Sequence, residues 1–208
     1  MAQRRMTPRC WRILLRGLIG VAGLIAHPAI AHENEVILYG PFLGGFTHPV
    51  LGPTHFLAMV SVGIVSAIIG GRAIWTVPAT FVAMMAVGGV MGWAGLGVPM
   101  PAIEAGIALS VVLLGLIIAL YRALPVLYVA IPVVFFGIMH GYAHGVEIPA
   151  ISGPALYAAG FMTGTIFIHI VGVIIGDISK RYAFGRIGLR LVGAVFVALG
   201  LMFLFGVL

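Results

Sequence analysis

The sequence predicts an all-α integral membrane protein, a bundle of six transmembrane helices that follows a cleaved N-terminal signal peptide. Hydrophobic residues make up 62% of the 208 residues and charged residues only 8%, whereas a soluble domain carries about 25% charged residues. Six apolar stretches each approach the roughly 20 residues that cross a bilayer as a helix. The basic residues between these stretches fall in alternate connections, as they do in proteins that cross a membrane repeatedly.

The first 31 residues have the three parts of a secretory signal peptide. Residues 17–26 form a short apolar run, and Ala29-Ile30-Ala31 supplies the small residues of a cleavage site. Cleavage after Ala31 would leave one mature domain, residues 32–208. The alternative is an uncleaved anchor helix, but the apolar run is short for a span. The arginines of the basic region are Arg4, Arg5, Arg9, Arg12 and Arg16.

The net charge of +6 does not indicate a nucleic-acid partner. Five of the eleven basic residues belong to the signal peptide, and the remaining six are balanced by five acidic residues. The surplus of basic residues therefore indicates targeting of the chain to the membrane and its orientation in the lipid bilayer. The single cysteine, Cys10, also lies in the signal peptide. A metal site in the mature chain must consequently use histidine, carboxylate, amide or backbone ligands.

Six predicted spans follow the signal peptide, and the basic residues orient them. Arg72, Arg122 and residues 180–190 supply basic side chains to one set of connections. The alternate connections, residues 95–101 and 146–153, contain no lysine or arginine. The positive-inside rule then predicts a multi-pass protein of the bacterial inner membrane, with its mature N-terminus in the periplasm and Arg72 in the cytoplasm. The predicted spans are residues 51–70, 74–94, 102–121, 124–143, 154–176 and 187–207.

Three pairs of glycines are spaced one helical turn apart, which predicts close contact between helix backbones. Helix packing is a sufficient reason for such pairs, so they carry no functional hypothesis. The pairs are Gly88 and Gly92, Gly160 and Gly164, and Gly172 and Gly176.

Ionisable side chains within the predicted spans are candidate functional residues, because placing them in a bilayer is costly. His48 and His55 stand at the start of the first span. Between them, Pro49, Gly52 and Pro53 argue against a regular helix. We expect a broken or re-entrant segment that directs both imidazoles inward, which is tolerated where protein or water covers the backbone. A structural role for the two histidines is the alternative.

His140, His144 and Glu147 form a second group at the end of the fourth span. Their i, i+4 and i+7 spacing places them on one face of a helix. Two imidazoles and a carboxylate on one face suit a divalent transition-metal ion. The alternative is again a structural role.

Glu104, early in the third span, and His169, in the fifth, are the remaining intramembrane candidates. The alternation of the spans places Glu104 in the outer part of the membrane, on the same side as both histidine groups. His169 follows about 15 residues of an inward-running helix and so lies roughly 22 Å deep. The alternative for His169 is a structural role in which it forms a hydrogen bond. The alternative for Glu104 is a buried carboxylate that accepts a hydrogen bond from a neighbouring hydroxyl.

Four stretches carry a family resemblance: HPVLGPTHFLAMVSVGI (48–64), IEAGIALSVVLLG (103–115), MHGYAHGVEIP (139–149) and YAAGFMTGTIFIHIVGVIIG (157–176). In these stretches the chain resembles the HupE/UreJ family, hydrogenase and urease accessory proteins that are regarded as nickel permeases. The signal peptide and the six spans fit as well, so the resemblance covers essentially the whole chain. It implies a transport site made of His48, His55, His140, His144 and Glu147, to which Glu104 and His169 contribute.

Two positions depart from the pattern of that family. Its members usually have aspartate where this chain has Thr54, so the site loses a negative charge that would attract a divalent cation. Tyr142 stands where many members have a further histidine. Either difference would fit a different metal, a lower affinity or a different role.

We expect a transporter, not an enzyme, that moves Ni²⁺ or Co²⁺ from the periplasm to the cytoplasm for metalloenzyme maturation. The ion would be the substrate, and no tightly bound cofactor is expected. The sequence has no G-x-x-x-x-G-K-[ST] motif, so energy would come from a gradient, the membrane potential or downstream metal trapping. One alternative is a membrane zinc hydrolase, against which the absence of H-E-x-x-H argues. The other is a non-transporting subunit of a larger membrane complex, and self-association is open as well.

Overall fold

The computed structural model describes residues 32–148 and 153–208, and the regular secondary structure of these residues is entirely helical. The signal peptide and cleavage site predicted for residues 1–31 lie outside the described residues. Seven helices occupy the described ranges, and Asn34–Leu208 form one compact unit. The helices are α1 (His32–Leu51), α2 (Pro53–Ile69), α3 (Ala73–Trp93), α4 (Met100–Leu120), α5 (Val126–Glu147), α6 (Pro154–Lys180) and α7 (Ala183–Leu204).

Five of the described helices, α3 to α7, are long and apolar enough to cross a membrane. A sixth crossing is present if Gly40–Leu51 and Pro53–Ile69, which are bent by 82° relative to each other, are counted as one broken span. The predicted spans correspond in order to α2 through α7, with ends that differ by a few residues. The chain is therefore an all-helical protein with five or six candidate spans, consistent with a membrane bundle.

The start of the first span is broken, as the sequence predicts. α1 ends at Leu51, Gly52 is extended with φ −83° and ψ 105°, and Pro53 begins α2. Proline fits the first turn of a helix because the N–H that it lacks would have no partner there. A second break lies within α1, where Gly40 has φ 78° and ψ 166°, a conformation that other residues rarely adopt. A short helical segment therefore meets α2 at a sharp angle.

α2 forms the centre of the bundle. Its residues 57–68 are all buried, and it contacts each of the helices from α3 to α7. The outer helices instead expose large apolar side chains, such as Leu127 and Phe184. A helix that is apolar on every side can be covered by other helices or by lipid, so packing decides that α2 is central. This position places His55, in the first turn of α2, in the middle of one end of the bundle.

Glycines bring the backbones of α3 and α5 into direct contact, and these helices form the most extensive pair in the bundle. A Cβ atom at Gly141 would collide with the backbone oxygen of Met85, and one at Gly88 with that of Ile138. Gly92 has the same kind of contact with α5. The predicted close approach at Gly88 and Gly92 is therefore confirmed, and it fixes the position of α5 along α3.

α6 packs against both arms of the broken span. A Cβ atom at Gly160 or Gly164 would collide with the backbone of α1, and one at Gly172 with the backbone of α2. Gly176 also lies against α2. The other two glycine pairs thus make the close helix contacts that their spacing predicts. Because α6 holds both arms, it fixes the angle between them and the positions of the two histidines that flank the bend.

Candidate metal centre

Four histidines from three helices converge at one end of the bundle. His144, in α5, is the central ring, and its centroid lies 4.9 Å from that of His48 in α1 and 4.5 Å from that of His55 in α2. His140, one turn earlier in α5, lies 5.1 Å from His55. The fold thus brings together two groups that are far apart in the sequence. We call these four residues the histidine cluster.

Glu147 places a carboxylate at the outer end of the histidine cluster. Its Oε2 lies 3.5 Å from His144 Nδ1 and 3.7 Å from His48 Nε2. The ligand atoms of these three residues all lie within 4.8 Å of one another, a spacing that small side-chain rotations would reduce to that of donors around one ion. The carboxylate is 47% exposed, whereas the two imidazoles are buried. An incoming ion would therefore meet the carboxylate first and imidazole nitrogen next.

A backbone hydrogen bond fixes the tautomer of His140. Its Nδ1 lies 2.8 Å from the carbonyl oxygen of Phe136, and because a carbonyl can only accept, Nδ1 carries the proton. Nε2 then presents its lone pair, and this buried atom has no hydrogen-bond partner among the described residues. Metal-binding histidines usually have this arrangement, with one ring nitrogen held by a carbonyl or carboxylate and the other directed at the ion.

His169 and Glu104 lie apart from the histidine cluster. His169 is 2% exposed, and the ring of Phe81 contacts both His169, at 5.3 Å, and His140, at 5.2 Å between centroids. The ring of Phe81 thus contacts both His169 and one member of the cluster. Glu104 lies on the exposed face of α4 and is not a member of the metal-capable group that contains Glu147. Of the two residues, only His169 borders the cluster.

Comparison with known proteins identifies the family. The family described as HupE / UreJ protein matches residues 20–203 of the chain. The chain belongs to the HupE/UreJ family. Protein HupE of Rhizobium leguminosarum bv. viciae is 39% identical over 183 residues, which cover 88% of this chain and 94% of that protein. No solved structure matches the chain.

Thr54, which stands where the resemblance implies an aspartate, lies beside His55. Its Oγ1 is 3.4 Å from His55 Nδ1, while His55 Nε2 is the buried ring nitrogen. The side chain at position 54 therefore contacts Nδ1 of His55, which is a candidate ligand through its buried Nε2. A carboxylate here would accept a hydrogen bond from the imidazole and orient it.

We expect Thr54→Asp to strengthen nickel binding by roughly tenfold, because a carboxylate behind a ligating histidine raises its basicity and fixes its orientation. Isothermal titration of the purified protein with nickel measures the change. Thr54→Asn is the matched control, since asparagine has the same size without the charge. Equal affinities of the two variants would show that the missing carboxylate does not limit binding.

Tyr142, the second position that differs from the pattern implied by the resemblance, is directed away from the histidine cluster. Its hydroxyl oxygen accepts a hydrogen bond from the N–H of Val98, at 2.9 Å, in the connection between α3 and α4. Its ring packs with Ile103 and Ile107 of α4. The side chain at position 142 therefore faces α4.

Proposed function

We propose that this HupE/UreJ protein is a secondary transporter that moves a divalent transition-metal ion, Ni²⁺ or Co²⁺, from the periplasm to the cytoplasm for metalloenzyme maturation. The observation that carries the proposal is the histidine cluster itself, four imidazoles from three helices with one exposed carboxylate at their outer end. Imidazole is a ligand that suits nickel and its neighbours among the transition metals. The family's association with hydrogenase and urease maturation supports nickel as the substrate.

The ligands follow one another along α5. Glu147, His144 and His140 are separated by about one turn each, which spans roughly 10 Å from the carboxylate to His140. His48 flanks the outer step and His55 contacts both histidines of α5. After the carboxylate of Glu147, each step offers an imidazole nitrogen, so an ion could exchange ligands along the row without returning to water.

The direction of transport rests on the distribution of the basic residues. The cluster lies where α2 begins and α5 ends, whereas Arg72 precedes α3 and Arg122 precedes α5. Because α2 and α5 each run from one end of the bundle to the other, the cluster is opposite these arginines. The positive-inside rule then supports a periplasmic cluster, a periplasmic mature N-terminus and an inner-membrane location.

Uptake of radiolabelled nickel into cells that lack their own nickel importers tests the proposal. We expect uptake in cells that express this protein, inhibition by excess cobalt, and background uptake with His140→Ala inserted at the same level. Expression and membrane insertion are checked for both proteins by an epitope tag. Background uptake by the correctly inserted wild-type protein and by Thr54→Asp would contradict nickel transport.

The second candidate function is a non-transporting accessory subunit of a larger membrane complex, and the position of Glu104 favours it. This carboxylate is exposed, and it belongs to the only ionisable residue of α4. An ionisable group that faces lipid is costly, so a partner protein or a second copy of the chain would cover it favourably. Stable co-purification with a membrane complex, together with no nickel flux, would support this candidate over transport.

A further inference from the structure

Basic side chains gather at the end of the bundle opposite the histidine cluster. The three connections at this end and the helix turns beside them contain six basic residues and one acidic residue, Asp177, which gives a net charge of +5. Arg181 binds Asp177 at 2.9 Å between Nη2 and Oδ2. The other five basic side chains have no carboxylate partner in the part of the chain that the structure describes: Arg72, Arg122, Lys180, Arg186 and Arg190. Most of the charge at this end is therefore not neutralised by the protein itself.

The start of α7 packs against the end of α4. Nε of Arg190, two turns into α7, donates a hydrogen bond to the carbonyl oxygen of Ala119, at 3.1 Å, in the last turn of α4. The two backbones are in close contact, since a Cβ atom at Gly193 would collide with the backbone nitrogen of Ala119. The guanidinium of Arg190 is therefore held through one nitrogen, and its two terminal nitrogens have no partner among the described residues.

Charged and apolar side chains are neighbours on the exposed surface of α7. Arg186 and Arg190 are four residues apart, so they lie on one face of the helix, one turn from each other, and both are exposed. Ile187 and Leu191 follow them directly and are 57% and 64% exposed. An anionic phospholipid has the same two parts, a charged phosphate and apolar acyl chains, and guanidinium binds phosphate through two parallel hydrogen bonds. This surface thus matches a phospholipid in both charge and polarity.

Exposed aromatic side chains indicate the depth of this surface in a membrane. Trp75, in the first turn of α3, is 70% exposed, and Tyr182, just before α7, is 64% exposed. Tryptophan and tyrosine are enriched where a membrane protein meets the lipid headgroups. The basic residues beside them therefore lie at the level of the phosphates. An acidic soluble protein would match the charge of this surface but not the exposed Ile187 and Leu191.

We propose that the start of α7 is a binding site for an anionic phospholipid, with Arg186 and Arg190 on its phosphate and Ile187 and Leu191 against its acyl chains. Basic residues beside membrane-spanning helices bind anionic headgroups in this way. The bound lipid neutralises part of the charge at this end of the bundle and, through Arg190, ties α7 to the end of α4. The site lies at the opposite end from the histidine cluster and does not depend on the proposed transport function.

Titration of the detergent-solubilised full chain with lipid, followed by native mass spectrometry, tests the proposal. Dioleoyl phosphatidylglycerol is the anionic probe, and dioleoyl phosphatidylcholine carries the same acyl chains on a zwitterionic headgroup. One basic residue at the membrane surface changes the affinity for an anionic lipid about fivefold. We therefore expect the wild-type protein to bind phosphatidylglycerol about 20-fold more tightly than phosphatidylcholine, and Arg186→Gln/Arg190→Gln to lose this preference. Equal affinities of the wild-type protein for the two lipids would overturn the proposal.

Arg186→Gln and Arg72→Gln separate a local site from general attraction to positive charge. Each variant removes one charge from the same end of the bundle, and both side chains are exposed and have no ion pair among the described residues, so neither change disturbs the fold. Arg186→Gln is expected to weaken the binding of phosphatidylglycerol about fivefold. Arg72→Gln is the matched control and is expected to keep the wild-type affinity. Equal losses in the two variants would show that no site exists at α7.

Competition distinguishes a lipid from other anionic partners of the same arginines. Excess inorganic phosphate is expected to leave the phosphatidylglycerol bound, because a free ion makes no contact with Ile187 and Leu191. Polyglutamate is expected to leave it bound for the same reason. Displacement of the lipid by phosphate would assign Arg186 and Arg190 to a soluble anion, displacement by polyglutamate would assign them to an acidic protein, and either result would overturn the proposal.

Discussion

The His144→Ala variant is expected to bind nickel at least about 100-fold more weakly than the wild-type protein. The substitution removes the ring that contacts His48, His55 and Glu147, so it separates the ligands that the three helices supply. Loss of a group that only orients a metal ligand already costs about 10- to 100-fold in affinity. Loss of the central ligand should therefore reach or exceed the upper end of that range.

Isothermal titration of the detergent-solubilised protein with nickel measures this effect. Tyr142→Phe is the matched control, because it lies on the same helix, two residues away, and removes only the hydroxyl that bonds Val98. We expect this control to keep the wild-type affinity. Equal losses in the two variants would indicate a general change in α5 and would contradict a site centred on His144.

The Gly141→Val variant is expected to lose the folded bundle. A Cβ atom at Gly141 would collide with the backbone oxygen of Met85 and would also lie 2.8 Å from the backbone nitrogen of Gly89. Overpacking of an ordinary core costs about 1–3 kcal/mol, and here the obstacle is backbone, which moves only if α3 and α5 separate. Their separation would also carry His140 away from His55.

Gel filtration of the fluorescently tagged protein after a series of heating steps measures this loss of stability. Gly188→Val is the matched control, because it makes the same change in α7 at a helical glycine whose Cβ would meet no atom within 4 Å. We expect the control to remain monodisperse and Gly141→Val to aggregate or to melt at a much lower temperature. Wild-type melting of Gly141→Val would show that α3 and α5 are not in backbone contact.

The order and the approximate ends of the long helices could be predicted, because length and hydropathy determine them. The broken start at Gly52 could be predicted as well, since proline and glycine restrict the backbone locally. The central position of α2 could not be predicted, because none of the helices has a polar face that would mark its lipid-facing or buried side. Gly172 indicates a close contact, but its spacing does not show that Val60 of α2 is the partner.

The convergence of the histidine cluster could be predicted from topology, because the first span begins on the side of the membrane where the fourth one ends. Direct contact between the rings could not, since it depends on the 82° bend and on the glycines of α6 that hold both arms. Spacing within one helix, as for His140, His144 and Glu147, is local geometry and needs no tertiary information.

The sequence did not show the surroundings of three side chains of the site region. Phe81 is one of many apolar residues in α3, and only the structure shows that its ring contacts both His140 and His169. Tyr142 lies between His140 and His144 in the sequence, and this position does not show which neighbouring helix its side chain contacts. Glu104 is intramembrane by sequence, yet its exposure on α4 depends on which helices cover that face.

Nickel K-edge X-ray absorption of the purified protein, loaded with one nickel ion per chain, tests most directly the central claim that the histidine cluster binds the metal. We expect the multiple-scattering features of imidazole ligands in the wild-type spectrum and a clear reduction of these features in His144→Ala. A spectrum with oxygen ligands alone, identical in the wild-type protein and in His144→Ala, would place the ion outside the cluster and contradict this account.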